Sequence, residues 1–265
     1  MALFHVHHHA DTLAMNMNMD IVLPDALGMR RGRRGKAGKL PDPLPVVFLL
    51  HGMSDDHSIW QRRTAIERYA SDRGMAVVMP TTHLGWYTDS PYNNMKYFTY
   101  ITRELPELCR RMFPCISASR EDTFAAGLSM GGYGAMKCAL RAPDTFSRAV
   151  SLSGGLDIIN RLGKQGREGA FWTDLFAPAD QAAGGFDDLF AAAEELATSG
   201  RELPGLYLWC GTEDFLYQGN LRMRDHLAAL GYPLRYSESP GDHQWLYWDR
   251  EIQPALDWLL DKEAV

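Results

Sequence analysis

The rhythm of apolar and polar positions changes near residue 45, and the change predicts two kinds of sheet strand. Residues 15–24 (MNMNMDIVLP) alternate between apolar and polar side chains, as a half-buried strand does, and residues 2–8 can pair with it. Farther along, VVFLL at 46–50 is a continuous apolar run. Such a run is typical of a strand that is buried on both faces of a parallel sheet.

Strands and helices are predicted to alternate through the rest of the chain. Apolar runs predict further strands at 75–79, 123–128, 146–152, 206–210 and 234–237. Longer patterned stretches predict helices at 59–73, 95–113, 130–141, 221–230 and 244–260. This alternation predicts an α/β fold with a mostly parallel central sheet and helices on both of its faces.

Residues 155–205 interrupt the alternation. They are rich in glycine and alanine, and they carry aromatic side chains at Phe171, Trp172, Phe176, Phe186 and Phe190. We expect this segment to be a small insertion, or cap, over the edge of the sheet. Because no repeat and no low-complexity linker divides the sequence, we predict one domain over residues 1–265 with the insertion at about 155–205.

A basic segment precedes the first buried strand. Glycines interrupt it, and its charges are Arg30, Arg31, Arg33, Arg34, Lys36 and Lys39. A patch that binds anions is one interpretation of these charges. We expect instead a solvated hairpin loop between edge strands, because the glycines break any helix there.

A candidate nucleophile follows the strand predicted at 123–128. Gly127-Leu128-Ser129-Met130-Gly131 fits the pattern G-x-S-x-G and lies between a predicted strand and a predicted helix. In that context the pattern indicates a nucleophile elbow, a tight turn that holds the serine hydroxyl above the sheet. Side chains at the two glycine positions would collide in such a turn, and the helix start points its amides at the site. Ser129 is therefore the predicted nucleophile.

A serine nucleophile needs a base, and the base needs an acid that orients it. On this type of sheet the order along the chain is serine, acid, histidine. The strand predicted before residue 211 leads to two candidate acids, Glu213 and Asp214, and the loop after the last predicted strand carries His243. Asp242 is a poor partner for His243 because adjacent side chains diverge, and His226 falls within a predicted helix.

The same arrangement predicts two amide donors for an oxyanion. One is the amide of Met130, directly after the nucleophile, and the other belongs to the loop after the first buried strand. That loop contains Gly52, which lets the backbone turn closely, and the Met53 amide is the candidate donor. The sequence contains no H-E-x-x-H or comparable ligand spacing, so neither a metal nor another cofactor is predicted.

Composition narrows the class of protein. Hydrophobic residues make up 46% and charged residues 23%, as in an ordinary globular protein. A formal net charge of −6 argues against a general nucleic-acid binder. The apolar runs are too short for a membrane span, and the first residues do not resemble a secretion signal. Four cysteines without a C-x-x-C pair favour buried thiols in a reducing, cytoplasmic location.

Taken together, several segments resemble the esterase D family of α/β-hydrolases over nearly the whole chain from residue 15. They are LLHGMSDDHSIW (49–60), NNMKYFTYITRELPELCRRMFP (93–114), TFAAGLSMGGYGAMKCALRAPDTFSRAVSLSGGLD (123–157), GTEDFLY (211–217) and PGDHQWLYWD (240–249). That family includes S-formylglutathione hydrolases and bacterial tributyrin esterases, and feruloyl esterases are related to it. The segment FWTDLF (171–176) is most similar to the tributyrin esterase branch.

The resemblance implies an α/β-hydrolase fold with a Ser-Asp-His triad. It implies Ser129 as nucleophile, Asp214 as the acid and His243 as the base, and it supports the Met53 and Met130 amides as oxyanion donors. We therefore expect a serine carboxylesterase that cleaves short-chain acyl esters through an acyl-enzyme. The alternatives are an S-formylglutathione hydrolase, a feruloyl or carbohydrate acetyl esterase, an acyltransferase with the same triad, and a non-catalytic binding protein.

The expected substrate pocket lies among the loop after the first buried strand, the aromatic segment 84–98 and the insertion. Its candidate residues are Trp86, Tyr87, Tyr92, Trp172, Phe176 and Trp245. The expected partner is a small-molecule ester, with neither nucleic acid nor a membrane involved. By resemblance, a homodimer or homotetramer is the expected assembly.

Four histidines stand close together near the N-terminus: His5, His7, His8 and His9. A metal site is one interpretation of this run. Strand alternation would place His7 and His9 on one face and His8 on the other. We therefore expect a surface edge strand rather than a metal site.

Overall fold

The computed structural model describes residues 1–24, 42–90, 95–162, 169–261 and residue 263. The basic segment at 30–39 and the pocket candidate Tyr92 lie outside the described residues. Within the described ranges, eight strands form one sheet in the order β1-β2-β4-β3-β5-β6-β7-β8. They are β1 (Ala2–Ala10), β2 (Met15–Leu23), β3 (Val46–Leu50), β4 (Ala76–Pro80), β5 (Thr123–Leu128), β6 (Arg148–Leu152), β7 (Gly205–Gly211) and β8 (Leu234–Ser239).

The two predicted kinds of strand are confirmed. β1 and β2 pair antiparallel, and β2 joins β4 antiparallel, whereas all pairs from β4 through β3 to β8 are parallel. Every residue of β3, β4 and β5 is buried, as continuous apolar strands require. β1 lies at the edge, with His7 and His9 exposed and His8 partly buried. The predicted edge strand with alternating faces is therefore confirmed.

Helices cover both faces of the sheet. They are α1 (Ile59–Arg63), α2 (Ile66–Arg73), α3 (Tyr97–Thr99), α4 (Leu105–Met112), α5 (Met130–Arg141), α6 (Ile158–Leu162), α7 (Gly169–Phe176), α8 (Ala179–Ala182), α9 (Leu189–Thr198), α10 (Tyr217–Ala229) and α11 (Trp245–Leu260). Alternate residues of β3 belong to two different apolar cores: Phe48 lies in one and Val47 in the other. Burial on both faces is what holds the parallel strands inside the molecule.

Two predicted helices differ in detail from the structure. The helix expected at 59–73 is two helices, because Thr64 adopts extended backbone angles. The Thr64 hydroxyl donates to the Trp60 carbonyl and accepts the Ile66 amide, so its side chain ends one helix and begins the next. The helix expected at 95–113 contains a π-helical turn between α3 and α4. No helix among the described residues is both long and apolar enough to cross a membrane.

The segment predicted as an insertion carries α6 to α9, and it is fastened to α5. The Lys137 ammonium of α5 is fully buried and forms an ion pair with Asp187. It also donates to the Thr88 hydroxyl at 2.9 Å. The Tyr133 hydroxyl, likewise on α5, donates to the Asp187 carbonyl at 2.8 Å. These contacts join the helix that follows Ser129 to the segment that lies over it.

Candidate active site

Ser129 lies in the turn between β5 and α5 with a strained backbone. Its φ of 52° and ψ of −116° are rare for a residue with a side chain. A Cβ atom on Gly127 would lie 2.4 Å from the Gly131 carbonyl carbon, and one on Gly131 would lie 2.3 Å from the Leu50 carbonyl oxygen. The predicted collision at both glycines is confirmed. Glycine at these positions lets α5 start directly above the end of β3.

Three side chains from separate strand ends form a continuous hydrogen-bond relay. The His243 Nε2 atom lies 3.0 Å from the Ser129 hydroxyl oxygen, and its Nδ1 atom lies 2.7 Å from an Asp214 carboxylate oxygen. The Asp214 side chain is fully buried, and its other oxygen accepts the Leu216 amide at 2.8 Å. The structure thus brings the predicted nucleophile, base and acid together in the order that acyl transfer requires.

The neighbouring carboxylates point elsewhere. Glu213 accepts a hydrogen bond from the Gly241 amide, and the Asp242 carboxylate accepts the Gln244 side-chain amide at 2.7 Å. Asp214 is therefore the acid that contacts His243. His226, which the sequence analysis sets aside as the base, lies on α10 with its Nε2 atom 3.1 Å from the carbonyl oxygen of Phe190.

The two residues predicted to supply oxyanion donors, Met53 and Met130, both lie close to Ser129. As the first residue of α5, Met130 has an amide with no carbonyl partner inside the helix. Met53 lines the same cavity as Ser129, and a Cβ atom on Gly52 would lie 2.8 Å from the Cδ1 atom of Leu128, the residue directly before the nucleophile. The glycine therefore allows the Met53 loop to approach the nucleophile closely.

The buried His51 side chain supports that loop through two hydrogen bonds. Its Nε2 atom accepts the Thr82 amide at 2.9 Å, so its proton lies on Nδ1, which is 2.7 Å from the Gly52 carbonyl oxygen. Burial lowers the pKa of His51 to about 4, and the contact with Gly52 only partly opposes this. The imidazole is therefore neutral near pH 7 and acts as a fixed support for the loop.

A cavity of about 330 Å³ opens over the relay. Two predicted pocket residues, Trp86 and Trp245, line it together with Ser129 and His243. Other lining residues are Gly52, Met53, Asp55, Leu128, Arg161, Phe215 and Trp248.

The remaining described pocket candidates do not line this cavity. Tyr87 is fully buried, and its hydroxyl donates to the His51 carbonyl at 2.9 Å. Trp172 and Phe176 are buried behind Trp86, with ring centres 5.0 and 5.9 Å from the Trp86 ring. These rings lie in the core because the segment carrying α7 packs directly against the indole.

Comparison with known proteins identifies the family. The family model described as "Putative esterase" matches residues 12–259. The chain belongs to this esterase family. An acetyl esterase from Caldicellulosiruptor saccharolyticus is 27% identical over 265 residues, which cover 98% of each chain.

Two solved structures from Staphylococcus aureus are similar over the full length of the esterase. FphF, a fluorophosphonate-binding serine hydrolase in a substrate-bound state, is 31% identical, with a TM-score of 0.86 over 98% of this chain and 99% of its own. An S-formylglutathione hydrolase, FrmB, without ligand, is 32% identical, with a TM-score of 0.84 over the same shares. The protein is thus a carboxylic-ester hydrolase with the α/β-hydrolase fold, as predicted.

The sequence analysis missed several side chains that surround His243 or line the cavity above it. Phe215 is 68% exposed, and its ring centre lies 4.7 Å from that of His243. Trp248 packs edge-on against the other side of the imidazole at 4.8 Å. Their signal in the sequence is proximity, because Phe215 follows the acid directly and Trp248 lies near the start of α11. Arg161 and Asp55, which also line the cavity, had no such signal.

The cysteines are as predicted in three of four cases. Cys109, Cys138 and Cys210 are buried, and burial raises the pKa of each thiol to about 12. Cys115 is exposed, so the prediction of a buried thiol is wrong there. None of the four takes part in the relay.

The histidine run makes ordinary polar contacts. His5 lies 2.7 Å from the Asp20 carboxylate, and His8 Nε2 lies 3.0 Å from the Tyr100 hydroxyl. Across the part of the chain that the structure describes, no group of three or more His, Cys, Asp or Glu side chains could hold a metal ion.

Proposed function

We propose that the esterase cleaves esters of short acyl chains by acyl transfer, with Ser129 as nucleophile, His243 as general base and Asp214 as the residue that orients the base. The observation that carries this proposal is the unbroken relay of contacts at 3.0 and 2.7 Å on the floor of a cavity. A serine hydroxyl is a weak nucleophile by itself, and such a relay is what activates it.

In the first step the Ser129 oxygen attacks the ester carbonyl while His243 Nε2 takes the hydroxyl proton. The buried Asp214 carboxylate keeps the other imidazole proton on Nδ1 and stabilises the imidazolium that forms. The carbonyl oxygen becomes negative, and the Met53 and Met130 amides are the proposed donors to it. His243 then hands its proton to the departing alcohol or thiol, which leaves an acyl group on Ser129.

In the second step water replaces the leaving group. His243 removes a proton from the water as the water attacks the acyl-enzyme, and the proton returns to the Ser129 oxygen when the acid is released. The same groups thus serve both halves of the reaction.

The size of the cavity supports a short acyl chain. Ligand pockets in proteins run from roughly 300 to 1,000 Å³, and this one, at about 330 Å³, is at the small end. Its wall at Trp86 is backed by the buried rings of Trp172 and Phe176, which leave that side little room to widen. We expect acetyl to butyryl esters to be the best substrates.

Ser129→Ala tests the chemistry. We expect kcat for p-nitrophenyl acetate to fall about 10⁴-fold or more, because the nucleophile is lost. Ser153→Ala is the matched control. Ser153 also directly follows a strand, is buried and has a positive φ, but it is not part of the relay. A Ser129→Ala protein as active as wild type, or failure of a fluorophosphonate probe to label Ser129, would contradict the proposal.

A chain-length series of p-nitrophenyl esters tests the acyl preference. A maximum between acetyl and butyryl is expected, and a maximum at ten carbons or longer would overturn the short-chain proposal. A panel of tributyrin, methyl ferulate, acetylated xylan fragments and S-formylglutathione then ranks the alternatives that the relatives suggest. Product analysis with an added alcohol distinguishes hydrolysis from acyl transfer to an acceptor. The cytoplasmic location, the tributyrin branch and the homo-oligomer stay predictions from the sequence.

A further inference from the structure

A second cavity, of about 430 Å³, adjoins the catalytic one. Arg161 and Phe215 line both cavities, so the two share a wall. Its other lining residues include Asp157, Asn160 and Arg222. The chemistry described above uses none of these three side chains.

Among the residues that the structure describes, the charges of the second cavity leave one cation without an ionic partner. Arg222 forms an ion pair with Asp157 at 2.6 Å, and Asp157 also accepts the Asn160 side-chain amide at 2.8 Å. Arg161 forms neither an ion pair nor a hydrogen bond with any residue that the structure describes. Since the Arg222–Asp157 pair is neutral as a unit, the net positive charge of this cavity comes from Arg161.

Aromatic rings hold the Arg161 guanidinium in place. Its central carbon lies 5.0 Å from the centre of the Trp172 ring and 5.9 Å from that of Phe215. Cation–π contacts of this length fix the group without using its N–H donors. The guanidinium therefore stays available for a ligand, and its planar set of donors matches a carboxylate.

The position of Phe215 indicates which part of the substrate enters the second cavity. In the proposed reaction His243 gives its proton to the leaving group, so the leaving group must lie on the His243 side of the ester bond. The Phe215 ring contacts that imidazole and continues into the wall of the second cavity. The catalytic cavity, by contrast, carries the Asp55 carboxyl, which disfavours a second anion beside it.

We propose that the second cavity binds the leaving-group portion of the ester, and that Arg161 selects alcohols or thiols that carry a carboxylate. This inference rests on the proposed function, because it takes the direction of the leaving group from the role of His243. Arg161 acts as a specificity residue and takes no part in bond making.

Two esters with the same acetyl group test the inference. In 4-acetoxybenzoate the leaving group carries a carboxylate, and in 4-acetoxybenzamide a neutral amide of similar shape replaces it. The value of kcat/KM for each ester is divided by the rate constant for its hydrolysis by hydroxide, which corrects for the different reactivity of the two esters. We expect this corrected value for the wild-type enzyme to be higher for the benzoate than for the benzamide. In Arg161→Met we expect kcat/KM for the benzoate to fall about tenfold and that for the benzamide to change less than about twofold, because one charge-assisted contact is lost.

Arg224→Met is the matched control, since Arg224 lies on α10, outside both cavities, and pairs with Asp225. It removes the same charge and should leave the ratio of the two esters unchanged. Monophenyl succinate, which carries its carboxylate on the acyl side, should be insensitive to Arg161→Met.

The outcomes separate the two proposals. If wild type hydrolyses the benzamide but does not favour the benzoate, the role of Arg161 is overturned, and this result does not depend on whether the variant folds. The role of Arg161 would also be overturned if Arg161→Met lowered kcat/KM equally for both acetyl esters, or only for monophenyl succinate. If wild type cleaves neither acetyl ester, the proposed function itself fails.

Discussion

The catalytic relay and the substrate wall of this esterase are built in different ways. The relay consists of Ser129, Asp214 and His243, which follow the ends of β5, β7 and β8 and are joined by direct hydrogen bonds. The substrate wall comprises Trp86, Arg161 and Phe215, and the buried Trp172 ring packs behind it and contacts both Trp86 and Arg161. Residues at strand ends hold the catalytic groups rigidly. Residues of the substrate wall meet through ring contacts on loops and short helices, so they can be exchanged for others without displacing the catalytic groups.

The catalytic relay and the substrate wall also differ in how their charged side chains are paired. The Asp214 carboxylate is fully buried, and an imidazole nitrogen and a backbone amide satisfy its oxygens. Arg161 makes only ring contacts among the described residues. Buried charge that is fully paired serves the reaction itself, whereas a cation held without an ionic partner is suited to recognition.

The largest expected effect comes from breaking the relay while leaving the wall intact. Asp214→Asn should lower kcat about 10⁴-fold, because an amide favours the wrong imidazole tautomer. Steady-state kinetics with p-nitrophenyl acetate measure this loss. Asp242→Asn is the control, since that carboxylate contacts the Gln244 side chain and not the base. Similar losses in both variants would contradict the assignment of Asp214 as the orienting acid.

A smaller effect is expected from cutting the link between the two regions. Lys137→Met removes the buried ammonium that joins α5 to Asp187, which leaves that carboxylate without its partner. We expect the free energy of unfolding, measured in urea, to fall by about 3 kcal/mol. Adding Asp187→Asn should recover part of the loss, because the uncompensated charge is then gone. A double variant less stable than the single one would show that charge pairing is not the cause.

The smallest expected effect concerns pH and the loop that carries Met53. Burial lowers the pKa of His51 to about 4 from an ordinary value of 6.5. Between these two values the unfolded chain binds a proton that the folded protein does not, so stability is complete above pH 6.5 and is lost as pH falls toward 4. From about pH 6.5 to about pH 5 the loss should be roughly 2 kcal/mol.

Urea unfolding at several pH values measures this loss, and His51→Gln isolates it. The variant has no imidazole to titrate, so its unfolding free energy should depend less on pH than that of wild type. Equal slopes in the two proteins would mean that other groups cause the acid sensitivity.

The parts of the molecule that could be predicted are those encoded by neighbouring residues. The elbow at Ser129 requires small residues two positions away on either side, and the whole pattern lies within five consecutive residues, 127–131. Continuous apolar runs indicated the parallel strands for the same reason. Thr64 shows the limit of prediction from such patterns. Periodicity alone predicts one continuous helix there, but the Thr64 hydroxyl divides it into two.

The sequence by itself determined the class of fold, the order of serine, acid and histidine, and the strand ends on which they lie. Only the tertiary structure decided that Tyr87 is buried beneath the His51 loop and that Arg161 lies between Trp172 and Phe215. Secondary structure depends on side chains a few positions apart, so it can be read from local patterns. The substrate wall depends on how distant segments return over the sheet, and local patterns do not contain that information.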